Sequence, residues 1–306
     1  MFSFLLRRLL LTIPLALGVV LIVTISFDLI PGDPAALILG EFGTPESIAE
    51  LRTSLGLDRS LPVRFVSYVG DILRGDLGSS IRDRRPVTAI LAETLPFTAL
   101  LSVAAFTLVV LVGIPLGVTS ASRPGTWVDN LVRVASLLGL SMPVFWTGIV
   151  FVVIFSVYLG WTPVSGSGTW RHLVLPAITL ALPSIAVVAR MTRSTMLEVL
   201  REDFIRTAAA KGVGRRETLY KHTLRNALIP VVTIMGLQLG QMLGGAVLTE
   251  TVFAWPGVGR LTVFAVFNRD FILMQGLVLV LAMVYLLINL LVDLSYGLID
   301  PRVRYA

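Results

Sequence analysis

Six apolar runs, each long enough to cross a membrane, divide this chain of 306 residues. A helix rises 1.5 Å per residue, so about 20 residues cross a hydrocarbon core of ~30 Å. A lipid-exposed backbone must satisfy its polar groups internally, and only 14% of the residues are charged against roughly 25% in soluble domains. The sequence therefore predicts an all-α membrane protein with six transmembrane helices. The runs are Leu9–Phe27, Phe97–Val118, Leu131–Leu159, Leu173–Ala189, Ala227–Leu248 and Phe271–Val292.

The first run is compatible with a secretory signal peptide or with an uncleaved first span. It is longer than a typical signal core, and Asp28 to Gly32 follow it instead of a small-residue cleavage site. We therefore expect it to remain as the first transmembrane helix.

The distribution of Arg and Lys predicts the orientation. With the N-terminus inside, 15 of the 25 basic residues fall on the inner side, three fall in short outer loops, and seven fall in the long segment 31–95. Positive charge accumulates beside spans on the cytoplasmic side, so both termini are predicted to be cytoplasmic. The net charge of +6 thus needs no nucleic-acid partner, and the absence of cysteine excludes disulfides and thiolate metal sites.

The runs and the polar segments between them predict three regions. Residues 1–30 hold the N-terminus and the first span, residues 31–95 form a helical extracytoplasmic insert, and residues 96–306 form a five-helix core. In the insert, Thr44 and Pro45 start a helix that stops at Gly56, and a second helix covers about Leu61 to Leu73. A polar loop at 190–226 interrupts the core.

That loop contains the most distinctive stretch of the chain, Asp203 to Pro230. Asp203 is predicted to N-cap a short helix, Phe204 to Lys211, and Gly212 is predicted to end it. The alanines at 208–210 leave a nearly flat helix face that another surface can approach closely. A second helical stretch, Arg215 to Arg225, is predicted to lead to the fifth apolar run.

Polar and conformationally unusual residues inside the runs are candidates for a translocation pathway. Ser141 and Pro143 interrupt the third run, where proline bends a helix and frees a carbonyl. Gln238 and Gln241 bring amides into the fifth run, where each needs a partner. The amides face a wet pathway or hydrogen-bond across helices, and the sequence does not choose between these roles.

Repeated glycines predict where helices approach closely. Gly113 and Gly117 form a GxxxG pattern in the second run. Gly236, Gly240 and Gly244 recur every four residues in the fifth run, which predicts one smooth stripe for a neighbouring helix.

The chain lacks several chemistries that drive transport or catalysis. Neither Lys211 nor Lys221 stands in a phosphate-binding loop, so the chain is not expected to hydrolyse ATP. The two histidines, His172 and His222, are too far apart in sequence for an HExxH metal site. No ionisable residue falls well inside a run, and Glu250 follows the fifth run. A secondary transporter usually needs such residues, so the source of energy is expected outside this chain.

Several motifs in the same order carry a family resemblance. The loop matches the pattern D-[YF]-[IV]-R-T-A-x-A-K-G followed by H-x-L-R-N-A-x-x-P, although the Glu-Ala-Ala of the wider family is absent. PGDP, LGLD and GDLG in the insert, and ETVFAWPGVG at 250–259, match as well. The chain thus resembles the permease subunits of dipeptide, oligopeptide and nickel ABC importers. The matching residues of the short helix are Asp203, Arg206, Thr207, Ala208, Ala210, Lys211 and Gly212.

The resemblance implies a type I ABC importer permease in the cytoplasmic membrane of a prokaryote. It implies a second, homologous permease, two ATPase subunits gripping helix 204–211, and an extracytoplasmic binding protein. ATP and Mg²⁺ would be used by the partner subunits, and no cofactor by this chain. The implied cargo is a di- or oligopeptide, glutathione or chelated nickel. Two alternatives remain open: a secondary permease or channel that works without ATPase partners, and a non-transporting scaffold.

Overall fold

The computed structural model describes residues 2–26, 32–40 and 43–299, and these residues are almost entirely helical. Pro31 of the PGDP motif and Arg302 near the C-terminus lie outside the described residues. Twelve helices are found in the described ranges: α1 (Phe2–Ser26), α2 (Pro34–Leu39), α3 (Pro45–Ser54), α4 (Leu61–Leu73), α5 (Val87–Ser122), α6 (Trp127–Ser141), α7 (Val144–Tyr158), α8 (Trp170–Val199), α9 (Asp203–Ala210), α10 (Arg215–Val252), α11 (Val258–Phe267) and α12 (Phe271–Ile299).

Four of these helices, α5, α8, α10 and α12, are long and apolar enough to cross a membrane. Helices α6 and α7 pass the same test together and would make a fifth span, although they are bent by 106° at the break between them. Helix α1 has 25 residues, and its side chains are described from Leu10 onward. The all-α class is confirmed, with four or five candidate spans among the described residues.

The third predicted span, Leu131–Leu159, is not one helix. Helix α6 ends at Ser141 and α7 starts at Val144, because Pro143 has no N–H to continue the helix and takes an extended ψ of 135°. The bend predicted from Pro143 is therefore a complete break.

The second predicted helical stretch of the loop, Arg215 to Arg225, is confirmed. It is continuous with the fifth span, so α10 runs without a break from Arg215 to Val252. Residues Thr218–Leu224 form a π-helical segment within α10. In this segment the Thr223 hydroxyl donates to the Thr218 carbonyl at 3.0 Å. Glu250, predicted to follow this span, lies in its last turn.

The chain divides into two compact units. One consists of residues 1–97 and 257–290. Its core packs Val87, Ile90 and Leu91 of α5 with Leu273 and Leu277 of α12. The predicted helices of the insert are confirmed as α3 and α4: Thr44 caps α3 by accepting from the Ser47 N–H, and Gly56 follows it at a φ of +65°.

The other unit, residues 98–256 with 291–306, is organised around α8, which packs against α5, α6, α7 and α10. The GxxxG prediction is confirmed where α5 crosses α8. A β-carbon on Gly117 would lie 2.5 Å from the Thr192 Cβ and 2.6 Å from the Ala189 carbonyl oxygen. The stripe predicted on α10 is only partly present, since no atom of the described residues lies within 4 Å of such a carbon on Gly244.

Gly117→Ala tests this close approach. We expect it to lower the free energy of unfolding by about 1–3 kcal/mol, because the backbone of α8 has to move to admit the methyl group. The measurement is thermal unfolding of the purified chain in detergent. Gly244→Ala is the matched control and should leave stability unchanged or raise it by up to about 1 kcal/mol. Equal midpoints for the two variants would contradict the packing described.

Candidate functional site

The short helix predicted at 204–211 is α9, Asp203–Ala210, shifted by one residue. The predicted N-cap is also wrong by one residue. Glu202 is the N-cap residue and makes no side-chain capping hydrogen bond, and Asp203 is the first helical residue. Asp203 still suits this end of the helix, where a negative charge meets the helix dipole. It forms an exposed ion pair with Arg206 at 3.3 Å, and the Thr207 hydroxyl donates to its carbonyl at 3.0 Å.

Helix α9 has one anchored side and one free side. Ile205 is buried and Ala208 is half-buried, whereas Phe204, Ala209, Ala210 and the following Lys211 are exposed. Phe204 is 45% exposed. Of the three alanines of the predicted flat face, Ala209 and Ala210 are therefore exposed and Ala208 is half-buried.

Gly212 ends α9 as predicted. It takes a φ of +82°, and the Val213 N–H bonds to the Ala208 carbonyl while the Gly212 N–H bonds to that of Ala209. These two bonds form a Schellman motif, which satisfies the last carbonyls of the helix. Within the described part of the chain, no atom lies within 4 Å of the place where a β-carbon would stand, so the left-handed backbone, and not crowding, demands glycine here.

A small cavity of about 360 Å³ lies beside α9. Ala209 and Val213 line it from the loop, Ala121 lines it from the end of α5, and Leu219 lines it from α10. Nearby, the Arg215 guanidinium donates to the Ser122 carbonyl at 3.0 Å, which ties the start of α10 to the end of α5. The helix thus rests on the ends of two spans.

A buried ion pair that the sequence did not reveal holds three helices together close to this loop. The Asp129 carboxylate on α6 is fully buried and accepts from the Arg193 guanidinium on α8 at 2.7 and 2.8 Å. It also accepts from the Ser120 hydroxyl of α5 and from the Gly125 N–H at 3.0 Å. Both oxygens are therefore fully satisfied. Asp129 stands just before an apolar run, and a charge there that needs a partner is the signal that could have indicated the pair.

The four candidate pathway residues have different environments. The Ser141 hydroxyl is exposed and donates to the Leu137 carbonyl at 2.9 Å, and Pro143 separates α6 from α7. Gln238 is buried and donates across helices to the Ser184 hydroxyl at 3.1 Å, whereas Gln241 is exposed. Of the two roles left open for the amides, Gln238 takes the interhelical hydrogen bond. In the described ranges, no hydrogen bond joins Ser141 to either glutamine.

Glu250 and His172 also form local contacts. Glu250 is completely buried, and the Thr98 hydroxyl of α5 donates to its Oε1 at 2.6 Å. The His172 Nδ1 lies 2.8 Å from the Thr169 hydroxyl at the start of α8. Within the part of the chain that the structure describes, no group of three or more His, Cys, Asp and Glu residues is arranged to hold a metal ion.

Two family models match the chain and together cover most of it. "Binding-protein-dependent transport system inner membrane component" matches residues 113–305, and the N-terminal model of the same kind of membrane component matches residues 1–104.

Relatives of full length agree with these models. The chain is 42% identical to the dipeptide transport system permease protein DppB of Alkalihalophilus pseudofirmus, with 100% of each chain covered. It is 43% identical to the di/tripeptide transport system permease protein DppB of Pseudomonas aeruginosa, covering 100% of this chain and 99% of the relative. It is 44% identical to the glutathione transport system permease protein GsiC of Salmonella paratyphi A, with 100% of each covered.

A solved structure supports the fold alone. A chain of the MetNI methionine ABC transporter, in an inward-facing conformation, aligns with a TM-score of 0.59 at 20% identity. The alignment covers 69% of this chain and 96% of the other.

The buried ion pair can be tested with Asp129→Asn. The variant leaves the Arg193 guanidinium, whose side chain is only 24% exposed, without an anion, and we expect a loss of about 3 kcal/mol in the free energy of unfolding. Denaturation of the purified chain in detergent measures it. Asp203→Asn removes an acid that is 95% exposed and should stay within about 0.5 kcal/mol of the unchanged chain. An equally small effect of both variants would show that the pair does not stabilise the fold.

Proposed function

The chain belongs to the family of binding-protein-dependent transport system inner membrane components, and on that premise we propose that it translocates peptides of two or three residues. As such a component it is a multi-pass permease of an ABC importer and does not itself catalyse a reaction. Full-length similarity to relatives named for dipeptide, di/tripeptide and glutathione transport supports the substrate class, since glutathione is itself a tripeptide.

The observation that carries the coupling mechanism is the exposed half of α9. A helix of eight residues presents Phe204 and two alanines, is anchored through Ile205, and ends in a fixed Schellman turn. A partner can therefore hold its outer face without unfolding it. We assign this face to an ATPase subunit, which holds the ATP and Mg²⁺ that this chain does not bind.

Movement of α9 would reach the spans through its neighbours. Three residues, Leu200, Arg201 and Glu202, separate the end of α8 from α9, so the connection is too short to absorb a large displacement. The Arg215 contact to α5 and the Asp129 pair transmit the same displacement to α5 and α6. When ATP closes the ATPase subunits, α9 moves as a rigid lever and the spans exchange inward and outward openings.

The remaining architecture follows the same proposal. Helix α1, the bent pair α6 and α7, and the four long helices give six spans, with both termini in the cytoplasm and residues 31–95 outside. A second, homologous permease completes the pathway, and an extracytoplasmic binding protein delivers the peptide. Support comes from the surplus of Arg and Lys on the inner side and from the binding-protein-dependent family.

Uptake of labelled di- and tripeptides tests the substrate and the energy source together. Cells that have this importer as their single peptide uptake system should accumulate the label, and excess unlabelled peptide should compete. A catalytic-site variant of the partner ATPase should abolish uptake. Uptake that persists in that variant would mean that the chain acts as a secondary permease or channel, and accumulation of free amino acids alone would contradict the peptide assignment.

Phe204→Ala tests the docking face of α9. An aromatic anchor in an interface is worth about 2 kcal/mol, so ATPase binding should weaken on the order of 30-fold. The measurement is the amount of ATPase that co-purifies with the tagged chain at a series of salt concentrations. Trp170→Ala is the control, because it removes an even more exposed aromatic, at 73%, from the opposite end of α8. Unchanged recovery with Phe204→Ala would exclude this face as the docking surface.

Gly212→Val tests the fixed end of the lever. A β-branched residue at a φ of +82° is strained by about 1–3 kcal/mol, so the turn should rearrange and α9 should lose its fixed position. We expect peptide uptake per ATP hydrolysed to fall about tenfold or more, since 1.4 kcal/mol corresponds to a factor of ten. Gly214→Val is the matched control, at a φ of −63° with nothing within 4 Å. Equal coupling ratios for the two variants, measured in vesicles, would refute the lever.

A further inference from the structure

We propose that a cavity between α6 and α8 binds the headgroup of an anionic phospholipid. The cavity encloses about 470 Å³. It lies entirely within the unit organised around α8, and neither the transport mechanism nor the coupling helix uses it. Asn130, Arg133, Ser136 and Leu137 line it from α6, and Arg190 and Arg193 line it from α8.

The charge of the cavity is the first argument. Three of its lining residues are arginines, and none is acidic. Arg193 is already neutralised by Asp129, whose two oxygens are both occupied by hydrogen bonds. Arg133 lies one turn from Asp129 on α6 but forms no ion pair with it in the described structure. In the described ranges, the side chains of Arg133 and Arg190 form neither an ion pair nor a hydrogen bond. Two unpaired positive charges thus face one cavity.

The donor chemistry fits a phosphate. Guanidinium groups present planar pairs of N–H donors that match phosphate oxygens. The Asn130 amide and the Ser136 hydroxyl add donors on the same helix. A bound anion would therefore meet two charges and two neutral donors.

The position of the apolar residues distinguishes a lipid from a free phosphate. The polar residues Asn130 and Arg133 lie in the first two turns of α6, whereas Leu137 and Leu140 line the cavity one to two turns further along. One turn is about 5.4 Å, so the lining changes from polar to apolar over about 10 Å. An anion joined to hydrocarbon chains satisfies both ends, while inorganic phosphate satisfies only the first.

The surroundings place this end of α6 at a membrane surface. Trp127, the first residue of α6, is 75% exposed, and tryptophan is enriched at membrane interfaces. Leu131, Val134 and Leu138 recur along α6 and are all at least half exposed, which gives acyl chains an apolar surface to follow. Basic pockets between spans are known to hold anionic lipid headgroups.

Lipid retention by the purified importer tests the proposal. The complex is exchanged into detergent with phosphatidylglycerol, and bound lipids are counted by native mass spectrometry over a range of lipid concentrations. Arg133→Gln combined with Arg190→Gln should weaken retention of one phosphatidylglycerol per chain. Each arginine near a charged lipid contributes about 1 kcal/mol, so the expected loss is on the order of 30-fold.

The control is Arg82→Gln combined with Arg123→Gln, which removes the same charge from exposed residues outside the cavity and should retain lipid as the unchanged chain does. Equal retention by both double variants would overturn the proposal. Equal retention of phosphatidylcholine would also overturn it, because charge would then not select the ligand. If labelled inorganic phosphate binds in the absence of lipid and displaces phosphatidylglycerol, the ligand of the cavity is a soluble anion and the lipid proposal is overturned. If the Arg133→Gln and Arg190→Gln double variant keeps its lipid but no longer binds the second permease, the cavity belongs to the interface between the two permeases and the lipid proposal is overturned.

Discussion

The buried carboxylate of Asp129 is the contact on which the loop end of the core depends. A carboxylate removed from water is costly unless its charge and its oxygens are matched, and here one guanidinium, one hydroxyl and one backbone N–H match them. The requirement fixes α5, α6 and α8 relative to one another. Because α9 follows α8 after one short turn, the lever that we propose for α9 starts from a rigid base.

Two kinds of contact therefore stabilise the unit organised around α8. Where α5 crosses α8, Gly117 lets the backbones approach so closely that a single methyl group would not fit, and a β-carbon on Gly113 would lie 3.3 Å from the Ile185 carbonyl oxygen. Where the same helices leave the apolar region, polar groups hold them together, and the main contact is the ion pair of Asp129 and Arg193. Small residues suit lipid surroundings, in which hydrophobic burial drives association weakly, while paired charges suit a partly wet end.

Helix α9 departs from this pattern because it is held weakly by its own chain. Only Ile205 is buried, and a cavity remains between the helix and the span ends. An incompletely packed helix with an exposed aromatic is suited to a surface that is completed by a partner. The backbone of α9, in contrast, is fully specified, since the Schellman turn at Gly212 leaves its end no freedom. Loose packing and a rigid backbone are together what a mechanical lever requires.

Local signals accounted for much of the fold. Run length gave the helical membrane class, Thr44, Gly56 and Gly212 marked helix ends, and the GxxxG spacing located the crossing of α5 and α8. The loop motifs led to the transport family that the comparisons support. These features depend on residues close together in sequence, so periodicity, turn chemistry and motif spacing carry them.

Contacts between distant residues had to come from the tertiary structure. The sequence placed Asp129 and Arg193 in separate loops, 64 residues apart, and gave no reason to join them. The sequence did not decide whether Gln238 lines a pathway or bonds across helices, and the structure shows its hydrogen bond to Ser184. The sequence also predicted one helix for the third span, which Pro143 breaks. It also extended the stripe to Gly244, where no atom of the described residues lies within 4 Å of the position of a β-carbon. A partner for a buried polar group depends on which helices pack together, so the sequence determined the helices, and only their packing decided how their charges and amides were satisfied.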